Sequence, residues 1–195
     1  MCPIFRTDTV RPYNFNMDFV FVIALTFCVC VAATAFNVDK RHGWWTNMLF
    51  VSALAAGQGL MYWLGSLLGG TFMNSFAGFP KVVVIILCFM MTFRMVLDTL
   101  KIRNGKNLFL ISKKKQLIFL SLVLGVNAFI SGLMAGELFL PLFGSITPLI
   151  IIGISLIWGL IAIGTKFSPN KLLINSLLNI LSALAILATG FVAII

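Results

Sequence analysis

Six long apolar segments, separated by short polar stretches, dominate the pattern of the chain. They cover about residues 17–37, 44–68, 80–100, 115–137, 142–164 and 171–194. A helix needs roughly 20 apolar residues to cross the hydrocarbon core of a bilayer, and it satisfies its own backbone hydrogen bonds there. The pattern therefore predicts an all-α integral membrane protein with six transmembrane helices in a single six-helix membrane domain over residues 1–195.

Composition agrees with this prediction. Of the 195 residues, 61% are hydrophobic and 10% are charged, whereas soluble domains have about 45–50% apolar and about 25% charged residues. These values exclude a soluble domain, a disordered chain and a small disulfide-stabilised scaffold. The first segment is predicted to act as an uncleaved insertion signal, because the residues before it contain no continuous apolar core.

The distribution of charge predicts the orientation. The net charge is +9, and seven of the 14 basic residues lie between Arg94 and Lys115, around a basic loop at about 101–115 that joins the third and fourth segments. Loops rich in Lys and Arg stay in the cytoplasm. The loops after the first and fifth segments carry two basic residues each. The loops on the other side carry one or none, and the N-terminal tail carries Arg6 and Arg11. Both termini are therefore predicted to face outward.

The basic loop divides the chain into two halves, about 17–100 and 115–195, of three segments each. Because each half contains an odd number of membrane-crossing segments, the two halves have opposite orientations in the membrane. GLMYWLGSLLG in the second segment and SLIWGLIAIG in the fifth also share a rhythm of Trp and small residues, although six apolar helices can resemble one another by chance. The chain is predicted to contain two inverted three-helix repeats, an arrangement that secondary transporters use to build a site near the membrane midplane.

Polar side chains interrupt these apolar segments. A polar group inside a bilayer is costly, so each one needs a partner or a function. One interpretation is a narrow polar seam that lines a substrate pathway. The alternative is hydrogen bonding between helices, worth roughly 0.6–2 kcal/mol for each bond. The candidate pathway residues are Cys28, Gln58, Asn127, Ser131, Asn175 and Asn179.

Small residues on the second and fourth segments predict close helix packing. Gly65 and Gly69 have the GxxxG spacing, as do Gly132 and Gly136, and this spacing lets two helix backbones approach each other. On the fourth segment the glycines lie roughly opposite the face that carries Asn127. One face is therefore predicted to pack and the other to present polar groups.

Acidic residues are few, and none of the five is predicted to lie in the middle of the membrane. Arg94 and Asp98 are four residues apart near the inner end of the third segment. This spacing predicts either an interfacial salt bridge or an inner gate. The chain also lacks a recognisable nucleophile–base pair or phosphate-binding loop, so we expect neither an enzyme nor a cofactor.

Cysteine and methionine side chains are potential ligands of a metal ion, and the sequence alone does not decide whether one binds. Cys28 and Cys30 point about 200° apart on a helix, so they are not expected to bind one ion together. A methionine-rich turn is interpreted as membrane-core packing in preference to ligation of a soft ion such as Cu(I); it contains Met90, Met91 and Met95 beside Cys88.

Four features are relevant together: the stretches TFRMVLD, VNAFISG and FCVCVAAT, and the polar residue Gln58. They are similar to motifs of the MntP-type manganese efflux family of bacterial inner membranes, which belongs to the LysE-type exporter group. TFRMVLD resembles the motif of the family's third segment, with Arg94 and Asp98 retained, and Gln58 falls at its polar position in the second segment. VNAFISG resembles the motif of the fourth segment, but Asn127 stands where the family has Asp. FCVCVAAT resembles the motif of the first segment, with Cys28 at the other Asp position.

The resemblance implies a multi-pass transporter of the bacterial inner membrane that exports a metal cation or another small solute. Because both acidic positions have changed, an altered cargo is expected. The alternative is a non-transporting subunit or assembly factor of a larger membrane complex, derived from an exporter. A third hypothesis, a thiol-disulfide carrier, rests on Cys28 and Cys88. The partners considered are the lipid bilayer and either a second copy of the chain or a larger membrane complex. Nucleic acid is not expected as a partner.

Overall fold

Six α-helices form the protein in the computed structural model, which describes residues 15–36, 43–76, 78–103, 114–138, 146–164 and 169–192. Their side chains are described within 19–36, 43–100, 121–135, 146–164 and 173–192, except Ala35 and Ala77. The helices are α1 (Phe15–Phe36), α2 (Trp44–Ser75), α3 (Pro80–Arg103), α4 (Lys114–Leu138), α5 (Thr147–Gly164) and α6 (Pro169–Val192). The predicted all-α class is confirmed.

The predicted end of the second segment was wrong. It was expected near residue 68, but α2 continues to Ser75 and packs closely against α4 at Gly69. The basic loop was predicted at about 101–115; α3 ends at Arg103 and α4 begins at Lys114. Helices tolerate Lys and Arg well, so a charge signal does not mark the end of a helix.

Within the described residues, four helices are long and apolar enough to cross a membrane, which is typical of a helical membrane protein. They are Trp44–Ser75, Pro80–Leu100, Thr147–Gly164 and Leu173–Val192. In α1 and α4 the apolar stretches with described side chains are shorter, Phe19–Thr34 and Ser121–Ala135.

Large apolar side chains lie on the outer surface of the bundle. Phe89 and Phe93 of α3 are exposed, as are Leu181 and Leu184 of α6. An extensive apolar surface is unfavourable in water, but in a bilayer it is covered by lipid chains. The outer faces of α3 and α6 are therefore the surfaces that lipid would cover.

α1 lies at the centre of the bundle and contacts all five other helices. Its described side chains are buried from Phe21 to Thr34, apart from the partly buried Ile23. Ring contacts join Phe27 to Trp158 of α5 and Phe36 to Phe50 of α2. Because neighbours surround α1, its sequence is apolar around the whole circumference and not along one stripe.

A seam of small residues holds α2 against α4, which run parallel to each other. A Cβ added to Gly65 or to Gly132 would collide with backbone atoms of the other helix, and one added to Gly69 would lie 2.8 Å from the carbonyl oxygen of Leu133. The predicted packing role of these three glycines is confirmed. The surroundings of Gly136 lie outside the described side chains.

Candidate functional site

Gln58 joins three helices at the core of the bundle. Its side chain is fully buried, its Nε2 donates to Cys28 Sγ at 2.8 Å, and its Oε1 accepts from Ser155 Oγ at 3.1 Å. The structure thus brings together two predicted pathway residues, Cys28 and Gln58. It adds Ser155 of α5, which the sequence analysis missed because a single hydroxyl in a strongly apolar segment gives little signal.

We expect Gln58→Leu to destabilise the bundle by roughly 1–3 kcal/mol, because it leaves the Ser155 hydroxyl without its partner in the core. Unfolding in detergent micelles by added denaturant, followed by circular dichroism, measures the change. Ser52→Ala is the control, because Ser52 lies on the exposed side of α2 and its hydroxyl bonds within its own helix. Equal stability of the two variants would contradict a structural role for Gln58.

Asn175 connects α6 to α1. Its Nδ2 donates to Thr34 Oγ1 at 2.8 Å and lies 3.8 Å from Cys30 Sγ. Cys30 therefore meets α6, whereas Cys28 meets Gln58 of α2. The prediction that Cys28 and Cys30 point in different directions is confirmed.

Asn179, one turn further along α6, meets a different helix. Its Nδ2 donates to Thr99 Oγ1 of α3 at 2.7 Å, and Thr99 in turn donates to the Met95 carbonyl. The Asn179 Oδ1 is buried and has no partner. Asn175 and Asn179 therefore belong to two separate hydrogen-bonded contacts, and Thr34 and Thr99 are partners that the sequence analysis did not identify.

Asn127 and Ser131 provide buried oxygens without partners on α4. Their side chains are 4% and 1% exposed, and Asn127 Oδ1 and Ser131 Oγ accept or donate no hydrogen bond. The spacing places them on the same side of α4 as Met134, whose Sδ lies 3.9 Å from Cys88 Sγ of α3. This side of α4 is turned away from the glycine seam, as the sequence predicts.

Arg94 and Asp98 form the predicted ion pair, with Nε and Oδ2 3.8 Å apart and both side chains partly exposed. Arg94 Nη2 also donates to the carbonyl of Val123 on α4. The pair therefore links α3 to α4 a few residues from Asn127.

The part of the chain with described side chains holds no group of three or more His, Cys, Asp or Glu residues able to bind a metal ion. The donors that this region does offer are amides, hydroxyls, thiols and thioethers. Cys28 and Cys88, the pair of the thiol-carrier hypothesis, are both free thiols, and they contact different partners, Gln58 and Met134.

Comparison with protein-family models, with curated proteins and with solved structures finds no match to this chain.

Proposed function

We propose that the protein is a small secondary transporter of the bacterial inner membrane, similar to MntP-type exporters, that moves a small cation or another small solute. The observation that carries this proposal is the pair of buried, unpartnered oxygens on Asn127 and Ser131. A buried polar atom without a partner costs free energy, and a substrate that supplies the missing partner offsets this cost.

The helix contacts support two structural repeats. The contacts between helices can be compared after α1 is exchanged with α4, α2 with α5, and α3 with α6. Under this exchange the contact of α2 with α4 corresponds to the contact of α5 with α1. Likewise α1–α6 maps onto α4–α3, while α2–α5 and α3–α6 map onto themselves; among the described residues, only the smaller contacts of α1 with α2 and with α3 have no counterpart of similar size. A pseudo-twofold relation between the halves has this consequence, and transporters built from repeats place the substrate where the halves meet.

The directions of the helices favour six spans with both termini on the same side of the membrane. α2 runs antiparallel to α5, since Gly59 packs on Ile152 and Val51 on Gly159. α3 runs antiparallel to α6, since Cys88 lies beside Gly190 and Thr99 beside Asn179. If every helix crosses the membrane in turn, even-numbered and odd-numbered helices run in opposite directions, as these two pairs do. The backbones of α1 and α4 contain 22 and 25 residues, long enough for a core of about 30 Å.

Arg94 and Asp98 are the proposed inner gate. The pair ties α3 to α4 through the Val123 carbonyl, so its opening would free α4 next to Asn127. An ion pair that is partly exposed contributes little stability, and it can therefore open and close at small cost.

Transport is tested with purified protein in liposomes. Wild type is expected to move at least one of Mn²⁺, a monovalent soft metal ion or a small amino acid faster than empty vesicles do. Asn127→Ala is expected to reduce this flux about tenfold or more, since one lost hydrogen bond of about 1.4 kcal/mol in the limiting step changes a rate tenfold.

The matched control for this flux assay is Asn74→Ala, because Asn74 is exposed near the end of α2. It is expected to transport like wild type. If folded wild type moved none of these solutes, or if both variants lost flux equally, the proposed pathway would be wrong.

A non-transporting subunit or assembly factor is the second candidate function. It is favoured by the pairing of polar groups in the core, where Gln58 is bonded to Cys28 and Ser155, and Asn175 to Thr34. On this alternative, gentle purification from native membranes recovers a partner chain in fixed stoichiometry. A lone monomer or a homodimer recovered under the same conditions would contradict it.

A further inference from the structure

Cys88 lies where three helices meet. Its side chain on α3 is 1% exposed, and its Sγ is 3.9 Å from the Sδ of Met134 on α4, which is fully buried. On the other side it faces Gly190 of α6, where an added Cβ would lie 2.6 Å from the sulfur. The glycine thus provides the space that this thiol occupies, and a thiol and a thioether from different helices are held together in the core.

Further uncharged donors lie one turn from this pair of sulfurs. Met91 follows Cys88 by three residues on α3 and is fully buried, while the neighbouring Met90 is 58% exposed. Ser131 precedes Met134 by three residues on α4, is 1% exposed, and has an Oγ without a partner. The two helices therefore present two sulfurs at the centre, with a third sulfur and an unpartnered hydroxyl beside them.

The distance between the two sulfurs fits a shared metal ion. Metal–sulfur bonds are about 2.3 Å long, so two sulfurs 3.9 Å apart subtend an angle of about 116° at an ion bound to both. This angle is close to the 120° of trigonal coordination. Met91 and Ser131, each one helical turn along the same two helices, are the candidates for a third ligand.

The charge of the site selects the ion. Thiolate and thioether ligands prefer soft ions such as Cu(I), while a hard divalent cation needs several anionic oxygens. When Cu(I) binds, the Cys88 S–H bond breaks, the proton leaves to water, and a Cu–S bond forms; copper stays in the +1 state. One thiolate neutralises one monovalent cation, so the loaded site carries no net charge into an apolar core.

We propose that Cys88 and Met134 form an intramembrane binding site for a soft monovalent metal ion, Cu(I), which is the cargo of the transporter. The cargo role rests on the function proposed above; the binding site does not. A monovalent ion needs one anionic ligand in an apolar core, and Cys88 provides it.

The test is a competition titration of detergent-purified, full-length protein with Cu(I) and a colorimetric Cu(I) chelator under anaerobic, reducing conditions. All chains carry Cys2→Ser, because Cys2 lies outside the described residues. The expected result is one Cu(I) bound per chain, with sulfur ligands visible by X-ray absorption. Cys88→Ser and Met134→Leu are each expected to weaken binding about tenfold or more.

Matched controls keep the test specific. Met90→Leu alters an exposed neighbour of Met91, and Cys30→Ser removes a buried thiol that faces α6 from α1; both are expected to bind Cu(I) like wild type. Met134→Leu conserves side-chain volume, so it remains informative if Cys88→Ser does not fold. Absence of binding by folded wild type, retained affinity in folded Met134→Leu, or equal loss in the controls would overturn the site.

Binding and transport are measured separately, so the two proposals can fail independently. Binding of Cu(I) without flux into liposomes would leave the site standing and refute the transport function. Flux of Mn²⁺ or an amino acid by protein that binds no Cu(I) would support transport and refute this site.

Discussion

Gly65→Ala is expected to lower the free energy of unfolding by about 3 kcal/mol, the upper part of the usual range for overpacking. The new methyl group would collide with the carbonyl of Phe129 and approach the Cα of Gly132. These are backbone atoms, which cannot rotate away as a side chain does, so α2 and α4 must separate along their shared seam. Denaturant unfolding in detergent micelles, monitored by circular dichroism, measures the loss.

Gly70→Ala is the matched control on the same helix. A Cβ at Gly70 meets nothing within 4 Å, so this variant is expected to keep wild-type stability or to gain up to about 1 kcal/mol from helix propensity. A similar loss in both variants would mean that glycine at position 65 matters for a reason other than contact with α4.

Leu25→Ala is the second substitution with a large expected effect. Leu25 lies on α1 with 0% exposure, and removal of a fully buried leucine side chain costs about 2–5 kcal/mol, depending on the cavity left behind. The cost is set by lost packing, which exists in a membrane protein as it does in a soluble one. The same unfolding measurement applies.

Leu181→Ala, on the outer side of α6, provides the comparison. Its side chain is 59% exposed, so in a bilayer or micelle lipid fills the space that it vacates, and we expect a loss below about 1 kcal/mol. If Leu181→Ala were as damaging as Leu25→Ala, the outer face of α6 would not be covered by lipid alone.

The helices were predictable from the sequence because long apolar segments have only one stable backbone form in lipid. The seam of Gly65 and Gly132 was predictable for a similar reason, since small residues at a spacing of four permit close approach. The end of α2 was not predictable, because its last turns pack against α4 at Gly69, and the sequence of α2 alone does not contain this contact.

Partners across the bundle were much harder to predict. Gln58 and Cys28 were assigned to one pathway, but their direct contact depends on how α1 and α2 are rotated. Thr34 and Thr99 gave no signal, because a threonine in an apolar helix commonly bonds to its own backbone. The approach of Cys88 to Met134 depends on the crossing of two helices, and the pattern of a single helix does not contain this information.

The burial of α1 has a consequence for biogenesis. α1 ends at Phe36, whereas α5 and α6, two of its principal neighbours, begin at Thr147 and Pro169. Since the ribosome releases the N-terminal part of a chain first, α1 is synthesised while these neighbours are still unmade. If α1 crosses the membrane as proposed, lipid surrounds it during that interval. Because α1 is apolar around its whole circumference, this exposure to lipid costs little free energy. Nascent chains arrested before α5 would therefore hold α1 inserted but not yet enclosed.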